Sequence, residues 1–187
     1  MNSYELRMEL EKHHRESYGW AISCCSRNPA EAENVLQAVY LKVLEGKARF
    51  DGRASFKTWL FAVIRTTAID ERRRHWLRRV RIDIYEESIG REDSVDEAVY
   101  RTEIRALFRR ALAELPRRQR EVLQLAFYHD LSLAEAAEVM GVSIGSARTH
   151  YERGKQRLRQ LMKGVEIRDE SGRRKHQKDV PTTEGRK

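Results

Sequence analysis

An acidic segment divides this chain into two basic parts, and it limits the possible folds more than any other feature. Seven acidic residues and one arginine lie between Asp83 and Glu97, whereas the stretch from Arg65 to Arg81 holds seven arginines and two acidic residues. The chain becomes basic again from Arg101 onward. Charges segregated in this way are typical of two separate domains with a solvated connection between them. The pattern therefore predicts two domains joined by an acidic linker.

Apolar residues recur at the spacing of an α-helix on both sides of this segment. In the clearest case Phe56, Leu60 and Ile64 follow one another at intervals of four residues, which places them on one face of a helix. Serine, proline and glycine mark where such stretches begin or end. The expected fold class is all-α, with two small helical domains joined by a flexible acidic linker. Helices are predicted over about 4–26, 30–45, 55–74, 97–113, 116–128, 133–140 and 143–162.

These elements divide the chain into four parts. The N-terminal domain is expected to cover 1–81 and the acidic linker 82–96, and the C-terminal domain is expected to cover 97–163. The remaining residues, 164–187, are charged and nearly free of apolar side chains. Such a composition is typical of a disordered basic tail.

The charge balance indicates what the chain binds. Its net charge is +8 and its pI is about 9.7, with the excess supplied mainly by arginine, whose guanidinium group matches phosphate geometry. Nucleic acid is therefore the first candidate partner, and a basic surface that only confers solubility is the alternative. The sequence has no apolar stretch of ~18 residues that could span a membrane, and residues 1–14 lack the apolar core of a signal peptide. A soluble cytoplasmic protein without membrane insertion is expected.

Residues 133–152 fit a helix-turn-helix motif in the second domain. Ala137 lies where only a small side chain fits between two crossing helices, and Gly141 suits the positive φ of the turn. Ser132 and Glu135 form a capping-box pattern before the first helix. The second helix carries Arg148 and other polar residues that could reach base edges in a major groove. An ordinary helical hairpin is the alternative.

Two longer stretches resemble a known family. Residues 115–161 read LPRRQREVLQLAFYHDLSLAEAAEVMGVSIGSARTHYERGKQRLRQL, and residues 30–74 read AEAENVLQAVYLKVLEGKARFDGRASFKTWLFAVIRTTAIDERRR. They resemble, respectively, the C-terminal and N-terminal DNA-binding domains of the extracytoplasmic-function family of bacterial sigma factors. The resemblance implies a transcription initiation factor that binds core RNA polymerase and promoter DNA, recognises a two-part promoter and helps to melt it. It also implies control by an anti-sigma factor, which could hold the protein at the membrane.

The resemblance assigns the helix at 30–45 to core-polymerase binding. Asn34 and Ala38 stand where the family usually has acidic residues, and an ordinary solvated helix face is the alternative. The residues expected to bind core polymerase are Glu31, Glu33, Asn34 and Gln37.

The segment from Phe50 to Phe56 resembles the family's loop that captures a base flipped out of the minus-ten element. An aromatic ring, a glycine turn and a cation suit a melted strand, although two core phenylalanines around a turn would give the same pattern. Trp59 is expected in the core rather than as a base wedge, and Thr66 replaces the family's usual asparagine. The expected minus-ten residues are Phe50, Gly52, Arg53, Phe56, Lys57, Arg65, Thr66, Arg72, Arg73 and Arg74.

The remaining assignments concern the second domain and the linker. The linker's acidic residues resemble the family's connector through the polymerase cleft, with a solvated spacer as the alternative. The residues expected to contact the minus-35 element are Ser143, Ser146, Arg148, Thr149, Glu152 and Arg153.

Two other classes of function remain open from the sequence. A stand-alone helix-turn-helix regulator would need only the second domain. A metal or thiol sensor would use His13, His14, Cys24 and Cys25, whose spacing matches no common zinc pattern. The sequence has no phosphate-binding glycine loop, catalytic triad or paired-carboxylate site, so neither an enzyme, a cofactor nor a metal is expected.

Overall fold

A computed structural model describes residues 2–81 and 107–163, and within these ranges the chain forms eight helices and no strand. This all-helical architecture agrees with the expected fold class. The predicted linker at 82–96, the first ten residues of the predicted helix at 97–113 and the tail at 164–187 lie outside the described residues.

Four helices form the first domain: α1 at Ser3–Lys12, α2 at His14–Cys24, α3 at Pro29–Leu44 and α4 at Phe56–Arg81. Asn28 begins α3 by accepting a hydrogen bond from the Glu31 amide at 3.2 Å, and Ser55 does the same for Thr58 in α4 at 3.1 Å. Both are side-chain caps of free helix-end amides. The helix α4 continues to Arg81, about two turns beyond the predicted end at 72–74.

The prediction of one helix over 4–26 was wrong. The chain forms two helices that meet at His13, whose ψ of 4° leaves the helical range. The second helix ends at Cys24, because Ser26 and Arg27 adopt positive φ angles of 54° and 66°. Left-handed backbone at a residue with a side chain is uncommon and stops helical propagation.

Trp20 lies at the centre of the first domain and is fully buried. Its indole Nε1 donates a hydrogen bond to the carbonyl oxygen of Phe61 at 3.0 Å, so the buried polar end of the ring is satisfied. The two rings also stack, with centroids 5.8 Å apart. Around them pack the apolar faces of α3 and α4, including Val39, Leu60 and Ile64. The core thus fixes α4 relative to α2 and α3.

The second domain contains α5, described at 107–113, and α6 at Arg117–Tyr128, α7 at Leu133–Met140 and α8 at Ile144–Leu161. The predicted capping box is confirmed, with Ser132 and Glu135 each bonded to the other's backbone amide. Gly141 has a φ of 63°, which confirms the predicted positive φ of the turn. Ala137 of α7 and Ala147 of α8 are both buried. The arrangement of α7, turn and α8 is a helix-turn-helix.

The two domains pack against each other and share a core. Apolar side chains of α7, among them Val139 and Met140, belong to the same buried cluster as Leu60 and Ile64 of α4. His129, just after α6, sits edge-on to Trp20 and Phe61, with ring centroids 5.8 and 4.9 Å away. We call this packed arrangement the closed state.

Candidate nucleic-acid interface

The six polar residues expected at the minus-35 element are all exposed on α8 or at its cap. Ser143 begins the helix, since its hydroxyl accepts a hydrogen bond from the Ser146 amide at 3.2 Å. Thr149 bonds back to the Gly145 carbonyl at 3.0 Å, and Glu152 pairs with Lys155 at 3.3 Å. Arg148 and Arg153 are also exposed, and their separation of five residues places them about 140° apart around the helix axis. The structure therefore leaves all six residues accessible, spread around the exposed side of α8.

Part of the loop from Phe50 to Phe56 is well exposed. Asp51, Gly52 and Arg53 lie at the surface, and Gly52 has a φ of 76°. The Asp51 carboxylate accepts from the Arg53 amide and contacts its guanidinium Nε, both at 3.2 Å. A side chain at position 52 would meet no neighbouring atom, so the glycine is required by backbone conformation rather than by space. The loop is a preformed tight turn with a cation at its tip.

The aromatic residues around this loop pack on one another. Phe50, Phe56 and Trp59 form a cluster with centroid distances of 5.2–5.4 Å. Phe56 is 9% exposed, while Phe50 and Trp59 are half-buried. In the closed state the Phe56 ring is thus part of the core, and Phe50 is the more accessible of the two phenylalanines.

The cations of α4 occupy different environments. Arg73 and Arg74 are exposed, and Arg74 pairs with Glu71 at 2.6 Å. Arg72 donates to the carbonyl oxygen of Cys24 and so also holds the end of α2. The exposed Thr66 bonds back to the Ala62 carbonyl. This end of α4 presents a basic surface.

Two predicted cations are engaged within the protein. Lys57 pairs with Glu16 at 2.9 Å. Arg65 is buried and pairs with Glu121 of the second domain. Neither contact could be read from local sequence, because the paired residues are 41 and 56 positions apart.

The α3 residues expected to bind polymerase lie on one exposed helix face. Glu31, Glu33, Asn34 and Gln37 are all exposed, whereas Val35 and its apolar neighbours face the core. The same face continues to two leucines that were not among the residues expected to bind polymerase. Leu41 and Leu44 are 58% and 49% exposed. Their spacing of four and seven residues from Gln37 was the signal that could have identified them.

The histidines and cysteines near the N-terminus do not form a joint site. His13 contacts Glu9 and Glu16, whereas His14 bonds the Tyr40 hydroxyl at 3.0 Å. Burial raises the pKa of Cys25 to about 11 and that of Cys24 further still, which disfavours the thiolate. Within the described parts of the chain, no three His, Cys, Asp or Glu residues are grouped to hold a metal ion. Nor does any helix there have the length and apolarity to cross a membrane.

The burial of His129 predicts a pH-dependent stability. Burial, together with the charge of Lys57, lowers the pKa of His129 to about 4, against the opposing charges of Glu16 and Asp130. An exposed histidine titrates near 6.5, so the unfolded chain binds the proton more tightly. The stabilisation is complete above pH ~6.5 and is lost as the pH falls towards 4. We expect the free energy of unfolding to drop by roughly 1–2 kcal/mol between pH 7 and pH 5, measured by urea unfolding.

The variant His129→Phe keeps an aromatic ring at this position but cannot take up a proton. It should lack that part of the pH dependence and retain only the part due to carboxylates. An unchanged pH profile in the variant would contradict the assignment.

Comparison with known proteins identifies both domains. The family "Sigma-70 region 2" matches residues 10–78, and "Sigma-70, region 4" matches residues 105–158. The chain is 30% identical over 169 residues to the ECF RNA polymerase sigma factor SigX of Bacillus subtilis, covering 83% of this chain and 85% of SigX. It is 32% identical over 138 residues to the ECF RNA polymerase sigma factor SigF of Caulobacter vibrioides, covering 72% and 73%.

Solved structures share the fold. The sigma factor RpoE from Bartonella quintana, determined with the anti-sigma factor NepR, superposes with a TM-score of 0.69 at 24% identity, covering 86% of this chain and 98% of that chain. CnrH, determined with the cytosolic domain of CnrY, gives a TM-score of 0.62 at 20% identity, covering 88% and 91%. On the matched regions and the identity to SigX and SigF, the chain belongs to the extracytoplasmic-function family of RNA polymerase sigma factors.

Proposed function

We propose that this chain joins core RNA polymerase, recognises a two-part promoter and helps to melt its minus-ten element, while α8 reads the minus-35 element. The observation that carries the proposal is the presence of two exposed polar surfaces, one on each sigma region. The first is the turn 51–53 with the exposed Arg72, Arg73 and Arg74 of α4, and the second is the outer face of α8. Sigma factors are transcription regulators, and the chemistry of RNA synthesis belongs to the polymerase.

Run-off transcription with sigma-free core polymerase tests this function. We expect promoter-dependent transcripts only when the chain is added to core polymerase. A stand-alone helix-turn-helix regulator would instead bind DNA without core polymerase and would start no transcript. Failure of the chain to bind core polymerase or to direct initiation on any of a library of promoters would overturn the proposal.

Charge reversal of Glu33 tests polymerase docking through α3. Glu33 is exposed beside Asn34 and Gln37, so a lysine there should repel the partner surface without disturbing the core. We expect binding to core polymerase to weaken about tenfold or more, equivalent to roughly 1.4 kcal/mol, in a pull-down titration. Glu138→Lys, an equal charge change at an exposed residue of α7, should have little effect. Unchanged affinity in Glu33→Lys and in a double variant with Gln37 would show that docking lies elsewhere.

Alanine substitutions on α8 test promoter reading. Arg148→Ala and Arg153→Ala should each weaken specific binding by roughly 1–3 kcal/mol if the side chain reaches a base. If it reaches a phosphate, the dependence of affinity on salt should instead fall by about one unit of slope. Arg159→Ala, an exposed arginine in the last turn of α8, is the matched control. If footprints and titrations show neither effect, these two arginines of α8 do not take part in reading the promoter.

We further propose that an anti-sigma factor controls the chain in the cytoplasm. RpoE from Bartonella quintana, which shares the fold, was determined with the anti-sigma factor NepR. The closed state also has a cleft of about 660 Å³ between its domains, lined by Arg15, Arg27 and Arg109 beside the apolar Ile22 and Leu112. These side chains suit a partner segment that carries both acidic and apolar residues.

A further inference from the structure

A buried ion pair between Arg65 and Glu121 joins α4 to α6. Arg65 Nε and Nη2 donate to one carboxylate oxygen of Glu121, at 3.3 and 3.2 Å. The other oxygen of Glu121 accepts from Arg117 Nε at 2.8 Å. The side chains of Arg65 and Glu121 are 10% and 8% exposed. Both oxygens of the carboxylate are thus used between two guanidinium groups, and solvent is largely excluded from the pair that crosses the domains.

Arg65 is also one of the cations expected to hold a promoter phosphate, so the inference rests on the proposed function. A guanidinium group binds a carboxylate and a phosphate through the same arrangement of donors. In the closed state Glu121 occupies the donors that a phosphate would need. Arg65 cannot bind both at once.

The packed domains of the closed state also cannot span the distance between the two promoter elements. The minus-ten and minus-35 elements are about 25 base pairs apart, or roughly 85 Å at 3.4 Å per base pair. A compact body the size of the described ranges, 2–81 and 107–163, has a radius of gyration of about 14 Å. Simultaneous contact with both elements therefore requires the domains to separate, which removes Glu121 from Arg65.

We propose that Glu121 is an internal competitor for Arg65, which keeps this cation away from DNA until the domains separate. In the closed chain the carboxylate of Glu121 occupies the donors of Arg65 that would otherwise bind a promoter phosphate. When DNA binds, a phosphate replaces the carboxylate on Arg65, and Glu121 keeps Arg117 as its partner within α6. The interdomain ion pair thereby lowers the affinity of the free chain for DNA.

The test is the variant Glu121→Gln in the full chain, compared with Glu138→Gln at an exposed residue of α7. Both variants lose one negative charge, but only the first removes the carboxylate that pairs with Arg65. The probe is a fluorescein-labelled single strand of arbitrary sequence, because a phosphate contact does not depend on sequence. We expect Glu121→Gln to bind at least about threefold more tightly than Glu138→Gln, with a salt slope steeper by about one. This gain should disappear in the double variant Arg65→Ala, Glu121→Gln.

Equal affinity of the two glutamine variants, or a gain that persists without Arg65, would overturn the proposal. Circular dichroism verifies that each variant is folded. If Glu121→Gln does not fold, Glu121→Asp keeps the charge but shortens the reach to Arg65, and it should give a smaller gain in the same assay. An unchanged affinity in that variant counts against the proposal. Transcription by the wild-type chain with core polymerase is measured in parallel. A chain that directs transcription but shows no effect of Glu121→Gln on DNA affinity contradicts only the competition between Glu121 and DNA. A chain that directs no transcription contradicts the proposed sigma function.

Discussion

Exchanging residues 51–54 for an unrelated sequence that keeps Gly52 should abolish open-complex formation on duplex promoters. Asp51 and Arg53 are exposed and bond mainly to each other, so their loss should leave the fold and core binding nearly intact. Extruding a base from the duplex costs a few kcal/mol, which contacts in this loop must offset. On a template with a premelted minus-ten bubble that cost is absent, and activity should be partly restored.

The measurement is permanganate reactivity of promoter thymines, together with run-off transcription on both templates. The preceding turn offers a matched control, because Gly46 there also has a left-handed φ, of 70°. Exchanging the exposed and mutually paired Glu45 and Lys47 on either side of Gly46 should leave promoter opening unchanged. If the 51–54 variant opens the duplex as well as wild type and with the same minus-ten preference, the loop is only a connector.

Replacing Trp20 with alanine should destabilise the protein more than any surface change. The side chain is 0% exposed, and its indole bonds the Phe61 carbonyl. Truncating a buried tryptophan typically costs about 3–5 kcal/mol, a large part of the stability of a small domain. Because the ring also touches His129, the closed state should be weakened along with the first domain.

Thermal unfolding followed by circular dichroism measures this effect. We expect the midpoint of Trp20→Ala to fall by roughly 10 °C or more. Trp76→Ala is the matched control, since Trp76 is 63% exposed and its loss should change stability by about 0.5 kcal/mol or less. Similar midpoints in the two variants would show that Trp20 is not central to the core.

Local signals in the sequence were sufficient to predict most helices. The capping box at Ser132 and the left-handed Gly141 depend on residues within a few positions of each other, so their chemistry is visible in the sequence. The break at His13 was missed because no proline or glycine marks it. The left-handed Ser26 and Arg27 were missed for the same reason, since neither residue type favours that conformation.

The arrangement of the candidate site could be predicted only in part. The exposed face of α8 follows from helical spacing, and the structure places all six expected residues there. The burial of Arg65 depends on Glu121, which is 56 positions away. The bond from Thr58 to Glu135 joins residues 77 apart. A single sequence carries no local pattern that pairs such residues, so the packing of the two domains could not be derived from it.

The shared core has a consequence for the newly made chain. All of α4 precedes α7, and 51 residues lie between Arg81 and Leu133. At 5–20 residues per second, synthesis of this interval takes about 3–10 s. During that time the face of α4 that later packs against α7 has no partner within the chain. A protein that binds this face of α4 can therefore do so before the second domain has been synthesised. The order of translation gives that contact precedence over the packing of α4 against α7.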